Sequence, residues 1–428
     1  MNFPIWEIPY LGGSGLIALM AVAHVFVAHF AVGGGIWLAV TEAKARREND
    51  AGLLAYLRNC SRFFILLTLV FGALTGVGIW FTIGLISPTA TSTLIHAFVW
   101  GWAIEWVFFL VEITSALVYY ASWDRLDPVT HNRIGWIYAA AAFLSLVVIN
   151  GILTFMVTPG RWLATRNFWD GWLNPGFFPS LVLRTGSGLA LVGLFTLLTG
   201  ARLKAEVLRV KVIRYGVRWL LPAFVMMPVG LVWYVTSLPE KARFIALGGA
   251  PVVSLFTAIS LMLSVLILLF GWVGAYQGAE KFSPPFAALL LLMGFFATGT
   301  TEWVREAVRK PYIIYGYLYS NSVRVFDAET IARQGVLKYA KWSEVQKVTD
   351  ENRLEAGRAV YVLECLSCHE VDGYNPVRPL VRGWDEDYLD HQLAKIDTLK
   401  GFMPPFIGTV AERRALAHYL ASLNQEAR

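Results

Sequence analysis

Residues 14–40 read SGLIALMAVAHVFVAHFAVGGGIWLAV and contain no Asp, Glu, Lys or Arg. A helix of that length reaches roughly 40 Å at about 1.5 Å per residue, more than the ~30 Å hydrocarbon core of a bilayer. Seven further stretches are predominantly apolar and long enough to span, near residues 63–87, 94–121, 132–158, 178–201, 215–237, 249–276 and 284–308. The reading is all-α: a polytopic transmembrane helix bundle of about eight spans. Gly33, Gly34, Gly35, Pro222 and Pro228 fall inside spans, where neighbouring helices can satisfy the backbone groups they free. Met1 to Tyr10 lacks the basic region of a cleavable signal, so the chain is expected to begin as mature protein.

The charge distribution divides the chain. Of 428 residues, 56% are hydrophobic and 15% charged, against about 25% charged in soluble domains. From Pro311 to Arg428 the charged share is itself about 25%, while the first 310 residues hold only 36 charges. The expected organisation is therefore a membrane bundle over 1–310, a linker over 311–350 and a small domain over 351–428. This excludes a soluble enzyme, a disordered protein and a nucleic-acid binder. Lys and Arg in the loops set orientation. The connections after spans 1, 3, 5 and 7, with their flanking helix ends, carry 14 Lys/Arg; those after spans 2, 4 and 6 carry 4. The basic side is expected to be cytoplasmic, which puts both termini and the last domain on the periplasmic side of a bacterial cytoplasmic membrane.

That last domain contains Cys365-Leu366-Ser367-Cys368-His369. A C-x-x-C-H run reads as c-type haem attachment, with two thiols on the porphyrin edge and the adjacent imidazole on the iron. Met403, 34 residues after His369 in Gly401-Phe402-Met403-Pro404-Pro405, is the expected sixth ligand; His/Met ligation raises the reduction potential. A thioredoxin-like motif would need a βαβ surround and zinc a second ligand pair, and neither is present. Arg353 to Glu364 has a helical apolar pattern leading into the motif, and Thr409-Val410-Ala411-Glu412 reads as a capping box opening a last helix. Cys60, the third cysteine, reads as an inert thiol near the end of span 2. Tyr312, Tyr315, Tyr317 and Tyr319 read as an interfacial aromatic belt.

Ionisable residues inside a membrane are costly and default to functional candidates. They are His24 and His29 in span 1, His96, Glu105 and Glu112 in span 3, Arg184 in span 5, and Glu302, Arg305, Glu306 and Arg309 closing span 8. Depth groups His24, Glu105 and Glu306 in the outer half. Glu112 lies two turns deeper than Glu105 on nearly the same face, which suits one acidic group at a buried metal and a second handing it protons. His29 and His96 better fit simple hydrogen bonding to a carbonyl.

In this order the residues resemble subunit I of the cytochrome bd-type quinol oxidases. The resemblance rests on Ala23-His24-Val25-Phe26, Leu74-Thr75-Gly76, Glu105 and Glu112, Trp123-Asp124-Arg125-Leu126, Asn150-Gly151, and Glu306-Ala307-Val308-Arg309-Lys310-Pro311-Tyr312. It implies that His24 ligates one high-spin haem with Glu105 close to its iron, that Glu306 ligates the second, and that Glu112 lines a proton path. Departures are specific. Where the family has a span-5 histidine for its low-spin haem, this chain reads Val182-Leu183-Arg184-Thr185, and the long quinol loop shrinks to Leu238–Leu247. A cytochrome c domain stands where the family has a ninth span. Arg184 then suits a haem propionate, with Arg305 and Arg309 as further support.

The expected protein is a respiratory haem oxidoreductase passing electrons between its own haem c and a high-spin haem pair. It would reduce O2 or NO without direct quinol oxidation. The alternative is an electron-conducting subunit with no gas chemistry. Expected cofactors are haem c and one or two haems b, with haem d left open. Expected partners are the lipid bilayer, a second membrane subunit resembling subunit II, and a periplasmic electron donor or acceptor.

Overall fold

The computed structural model describes residues 4–399 and 401–424. Among these, eight helices or helix pairs are long and apolar enough to cross a membrane. Span 1 is α1 (Gly13–Arg47). Span 2 joins α2 (Ala51–Ile65) to α3 (Ala73–Ile86) through a π-helical segment, Leu66–Gly72. The short helix α4 (Pro88–Ala97) precedes span 3, α5 (Val99–Ala121). Span 4 is α6 (Pro128–Phe155), and two short helices, α7 (Trp162–Thr165) and α8 (Phe168–Trp172), lead to span 5, α9 (Phe177–Ala201). Span 6 is α10 (Glu206–Ser237), followed by α11 (Glu240–Phe244). Span 7 is α12 (Pro251–Phe270) with a π-helical end to Gln277, and span 8 is α13 (Pro284–Val308).

The local sequence sets these boundaries. Asp50 caps α2 by accepting from Leu53 N–H, and Asp127 caps α6 ahead of Pro128 at the first helical position. Span 3 corrects the expected 94–121. Phe98, at φ −130° and ψ 34°, breaks the helix, so His96 belongs to α4 and not to the span that carries Glu105. A hydropathy window runs across such a one-residue break because both flanks are apolar.

The chain divides into two compact units: one of the chain up to Ala21, Val77–Ala97 and Arg309 onward, the other of Val22–Gly76 and Phe98–Val308. The second unit is the bundle. Its central contact is Gly33 against Gly188, where a β-carbon on Gly33 would lie 2.0 Å from the Gly188 carbonyl oxygen. Gly34 meets the Phe64 ring and Gly35 meets Tyr138 in the same way. The triple glycine therefore lets α1 approach the backbone of spans 4 and 5 and the Phe64 ring of span 2, as small residues do in membrane packing.

In the first unit, β1 (Tyr312–Ile314) and β2 (Leu318–Tyr319) form an antiparallel hairpin on which Tyr312 stacks against Tyr319. The helices α14 (Ala328–Gln334), α15 (Arg353–Glu364), α16 (Glu386–Leu393), α17 (Ile396–Leu399) and α18 (Val410–Ser422) follow. Gly357 lets α15 cross α18 closely; a β-carbon there would sit 2.1 Å from the Ala415 carbonyl oxygen. The capping box of α18 forms, with Thr409 and Glu412 bonded reciprocally. Residues 311–350, expected as a linker, place Val323, Ile331, Val336 and Leu337 in one core with Val360, Leu366 and Leu416. Glu412 secures them by accepting from the backbone N–H groups of Val336 and Leu337 at 3.0 and 2.9 Å.

Candidate haem-binding sites

The C-x-x-C-H segment follows directly from the end of α15, and its histidine is held by backbone. His369 Nδ1 lies 3.1 Å from the Asn375 carbonyl, which only accepts, so Nδ1 carries the proton. Asn375 adopts φ +48°, a left-handed conformation that asparagine tolerates, and its side chain donates to the Cys368 carbonyl at 2.7 Å. Tyr361 donates to the His369 carbonyl at 2.7 Å. Burial holds the His369 imidazole below its ordinary pKa. The ring is thus neutral with Nε2 free as a lone-pair donor, the state an axial metal ligand needs. Cys365 and Cys368 are free thiols, and burial pushes the Cys365 thiol up. Met403 lies half-buried in the turn after α17. These residues fit a covalent haem. A buried carboxyl adjoins them: Glu364 Oε2 accepts from Asn321 at 2.6 Å, and burial raises its pKa to about 8.

In the bundle, His24 is fixed in one tautomer. Thr75 spends its single hydroxyl proton on the Phe71 carbonyl at 2.8 Å, so at 3.1 Å from His24 Nδ1 it accepts. Nδ1 is then the N–H and Nε2 the free donor, as in metal-ligating histidines oriented by an outer partner. Gly76 supplies the room, since a β-carbon there would approach the ring at 3.1 Å. The π-helical turn just before Thr75 brings both residues to the ring. Sequence reading matched Thr75-Gly76 to a family pattern without giving either a role.

Glu105 Oε1 accepts from Ser145 at 2.9 Å across α5 and α6. Seven residues along, Glu112 lies within electrostatic reach of Tyr138. Seven further on, the Tyr119 ring sits 4.4 Å from that of His131. The two antiparallel helices thus share a polar seam of three heptad-spaced steps, of which Glu105 and Glu112 alone stood out in the sequence. The seam ends at a fully buried pair: His131 Nδ1 to Glu42 Oε1 at 2.8 Å, with Nε2 2.9 Å from the Tyr119 carbonyl. Both ring nitrogens face acceptors, the Glu42 carboxylate and the Tyr119 carbonyl. Arg46 joins Glu42 at 2.7 Å. No reading of the sequence found this pair, because the partners are 89 residues apart.

A second buried group gathers His29, Arg184, Glu302 and Arg305. Arg184 Nη1 donates to His29 Nε2 at 3.2 Å, and Arg184 lies 3.5 Å from Glu302. Arg305 bonds Glu302 at 2.8 Å. His29 Nδ1 and Arg305 Nη1 are buried donors with no partner among the described residues. Such donors fit an acidic group such as a haem propionate. His29, expected to bond a carbonyl, bonds Arg184. Glu306 is half-buried one turn beyond Glu302 and within electrostatic reach of Arg305. Arg309, in the other compact unit, donates to the Ile313 carbonyl. His24 and Glu105 are held from different helix pairs, by Thr75 and Ser145.

The fold is a multi-pass membrane helix bundle carrying a small C-terminal domain, and the comparisons give its class. Residues 16–236 match the family model described as cytochrome bd terminal oxidase subunit I, and residues 352–420 match that of cytochrome C oxidase, cbb3-type, subunit III. The first match takes in more than half of the 428 residues, and the chain belongs to the cytochrome bd terminal oxidase subunit I family. A chain of the bd oxidase from Geobacillus thermodenitrificans has the same fold, with a TM-score of 0.63 at 15% identity, covering 72% of this chain and 89% of that one. No curated protein matches the chain. Both families imply haem, and the chain is a bd-type membrane subunit of respiratory haem electron transfer.

Proposed function

We propose that the chain is the catalytic subunit of a terminal reductase that exchanges electrons through its own haem c and consumes O2 or NO. A bound haem pair would supply the iron at which the gas is reduced. His24 would hold one haem through Nε2, with Glu105 beside it and Glu306 on the second. The unpartnered donors of Arg305 and His29, with Arg184 and Arg309, would take propionates by charge-assisted bonds. His369 and Met403 would be axial at haem c, which Cys365 and Cys368 attach. Haem b is the expected type in the membrane, with haem d the alternative. The basic loops argue for a periplasmic haem c domain, and a subunit II-like protein is the expected partner.

The polar seam carries this reading. Reducing a gas consumes protons, whereas conducting electrons does not, and carboxylates within membrane spans are costly to keep without use. Glu112 and Glu105 would pass protons along the α5–α6 interface, Ser145 orienting Glu105 by its hydroxyl. Quinol has no evident docking loop: spans 6 and 7 are joined by α11 and one irregular turn through Gly249. Purified protein should therefore turn over with a reduced cytochrome or dye and show no inhibitor-sensitive quinol oxidation. Robust quinol turnover would overturn the proposed route.

A further inference from the structure

A cavity of about 550 Å³ opens between α1, α6 and α10, and none of the candidate haem-site residues lines it. Three cations line it, Lys44, Arg47 and Arg218, together with Trp136, Tyr215 and Trp219, and no acidic residue does. Lys44 is engaged by Glu48, which is also within electrostatic reach of Arg47, and neither Arg47 nor Arg218 makes a salt bridge among the described residues. The back wall is fixed where Tyr215 and Thr41 hydroxyls meet at 3.0 Å. Ile137 and Leu221, next in sequence to the lining residues Trp136 and Pro222, are apolar and 51% and 42% exposed.

Helix length places this cavity at a membrane surface. The 35 residues of α1 reach about 52 Å, and its last turns, which carry Lys44 and Arg47, run past a ~30 Å hydrocarbon layer. Tryptophan and tyrosine at that level are interface residues. A site with two arginines outside any salt bridge, aromatic walls and exposed apolar residues adjoining them in the chain suits a lipid, with its charge on the headgroup.

We propose that this cavity binds an anionic phospholipid, the phosphate held by Arg47 and Arg218 and an acyl chain lying along Trp136, Ile137 and Leu221. Basic pockets between membrane helices recognise acidic headgroups in this way. A free phosphate would use the arginines but leave the aromatic walls and apolar flank without a role.

The test uses the purified protein in detergent, titrated separately with phosphatidylglycerol and phosphatidylcholine, with bound lipid counted by native mass spectrometry. The expected result is a preference for phosphatidylglycerol of roughly tenfold or more. Arg47→Gln with Arg218→Gln should abolish the preference; both residues are exposed, so the fold should be kept. Arg62→Gln with Arg133→Gln, which removes two exposed charges outside the cavity, should leave it intact. Equal binding of the two lipids would overturn the proposal. So would a matching loss in the Arg62/Arg133 variant, or displacement of phosphatidylglycerol by an equal concentration of inorganic phosphate.

Discussion

His24 and His369 are prepared by the same device. Each ring commits Nδ1–H to a fixed oxygen, Thr75 Oγ1 in one case and the Asn375 carbonyl in the other, and keeps Nε2 as a lone pair. The C-x-x-C-H motif was legible because its spacing is local. The role of Thr75 was not, since it depends on which atom takes the hydroxyl proton. Glu364 gives a test at this scale. Its folded pKa of about 8 lies above the ordinary carboxyl value of 4.5, so between those pH values the folded state binds the extra proton. Stability of the cytochrome c domain should be full below about pH 4.5 and fall as pH rises toward 8, by at most ~1.4 kcal/mol per unit. Glu364→Gln keeps the acceptor for Asn321 and has nothing to ionise. Its pH–stability curve over this window, followed by denaturant unfolding, should be flatter than wild type; an unchanged slope would remove Glu364 as the cause.

Helix pairing turns single residues into a conduit. The α5–α6 seam repeats every seven residues on both helices because antiparallel membrane helices meet at heptad intervals. Glu105 and Glu112 were readable from that spacing, but Ser145, Tyr138 and His131 are ordinary residues until the pairing is known. The break at Phe98 escaped notice for a related reason, since hydropathy records apolarity and not backbone direction. Residues 311–350 looked like a linker on composition, yet their scattered apolar side chains fill the same core as α15 and α18. Glu112→Gln should leave haem content unchanged and slow turnover by about 10²-fold or more, because an amide cannot carry a proton. Full turnover in that variant would remove Glu112 from the proton path.

At the scale of the molecule, eight spans and a charged C-terminal region were legible from hydropathy and charge alone. The same counts set the expected orientation, with the loops after spans 1, 3, 5 and 7 holding most of the Lys and Arg. A reporter active only outside the cytoplasm, fused to the C-terminus, should be active; a silent one, with a cytoplasmic reporter active in its place, would reverse the assignment. By the resemblance the family's low-spin haem position would fall near Arg184, which packs with His29 and Glu302 in an ionic group. Electrons are then expected to pass between haem c and the high-spin pair without that intermediate.

Gas chemistry in the membrane is the central claim, and carbon monoxide tests it most directly. Reduction of O2 or NO needs an iron with an open coordination position, whereas a conducting haem has both axial positions filled by protein. The reduced protein should bind carbon monoxide at its membrane haem. His24→Ala should abolish that difference spectrum and leave the haem c band, whose residues lie in the other compact unit. Wild-type protein whose membrane haems bind no carbon monoxide would contradict the terminal-reductase reading and leave an electron conduit in its place.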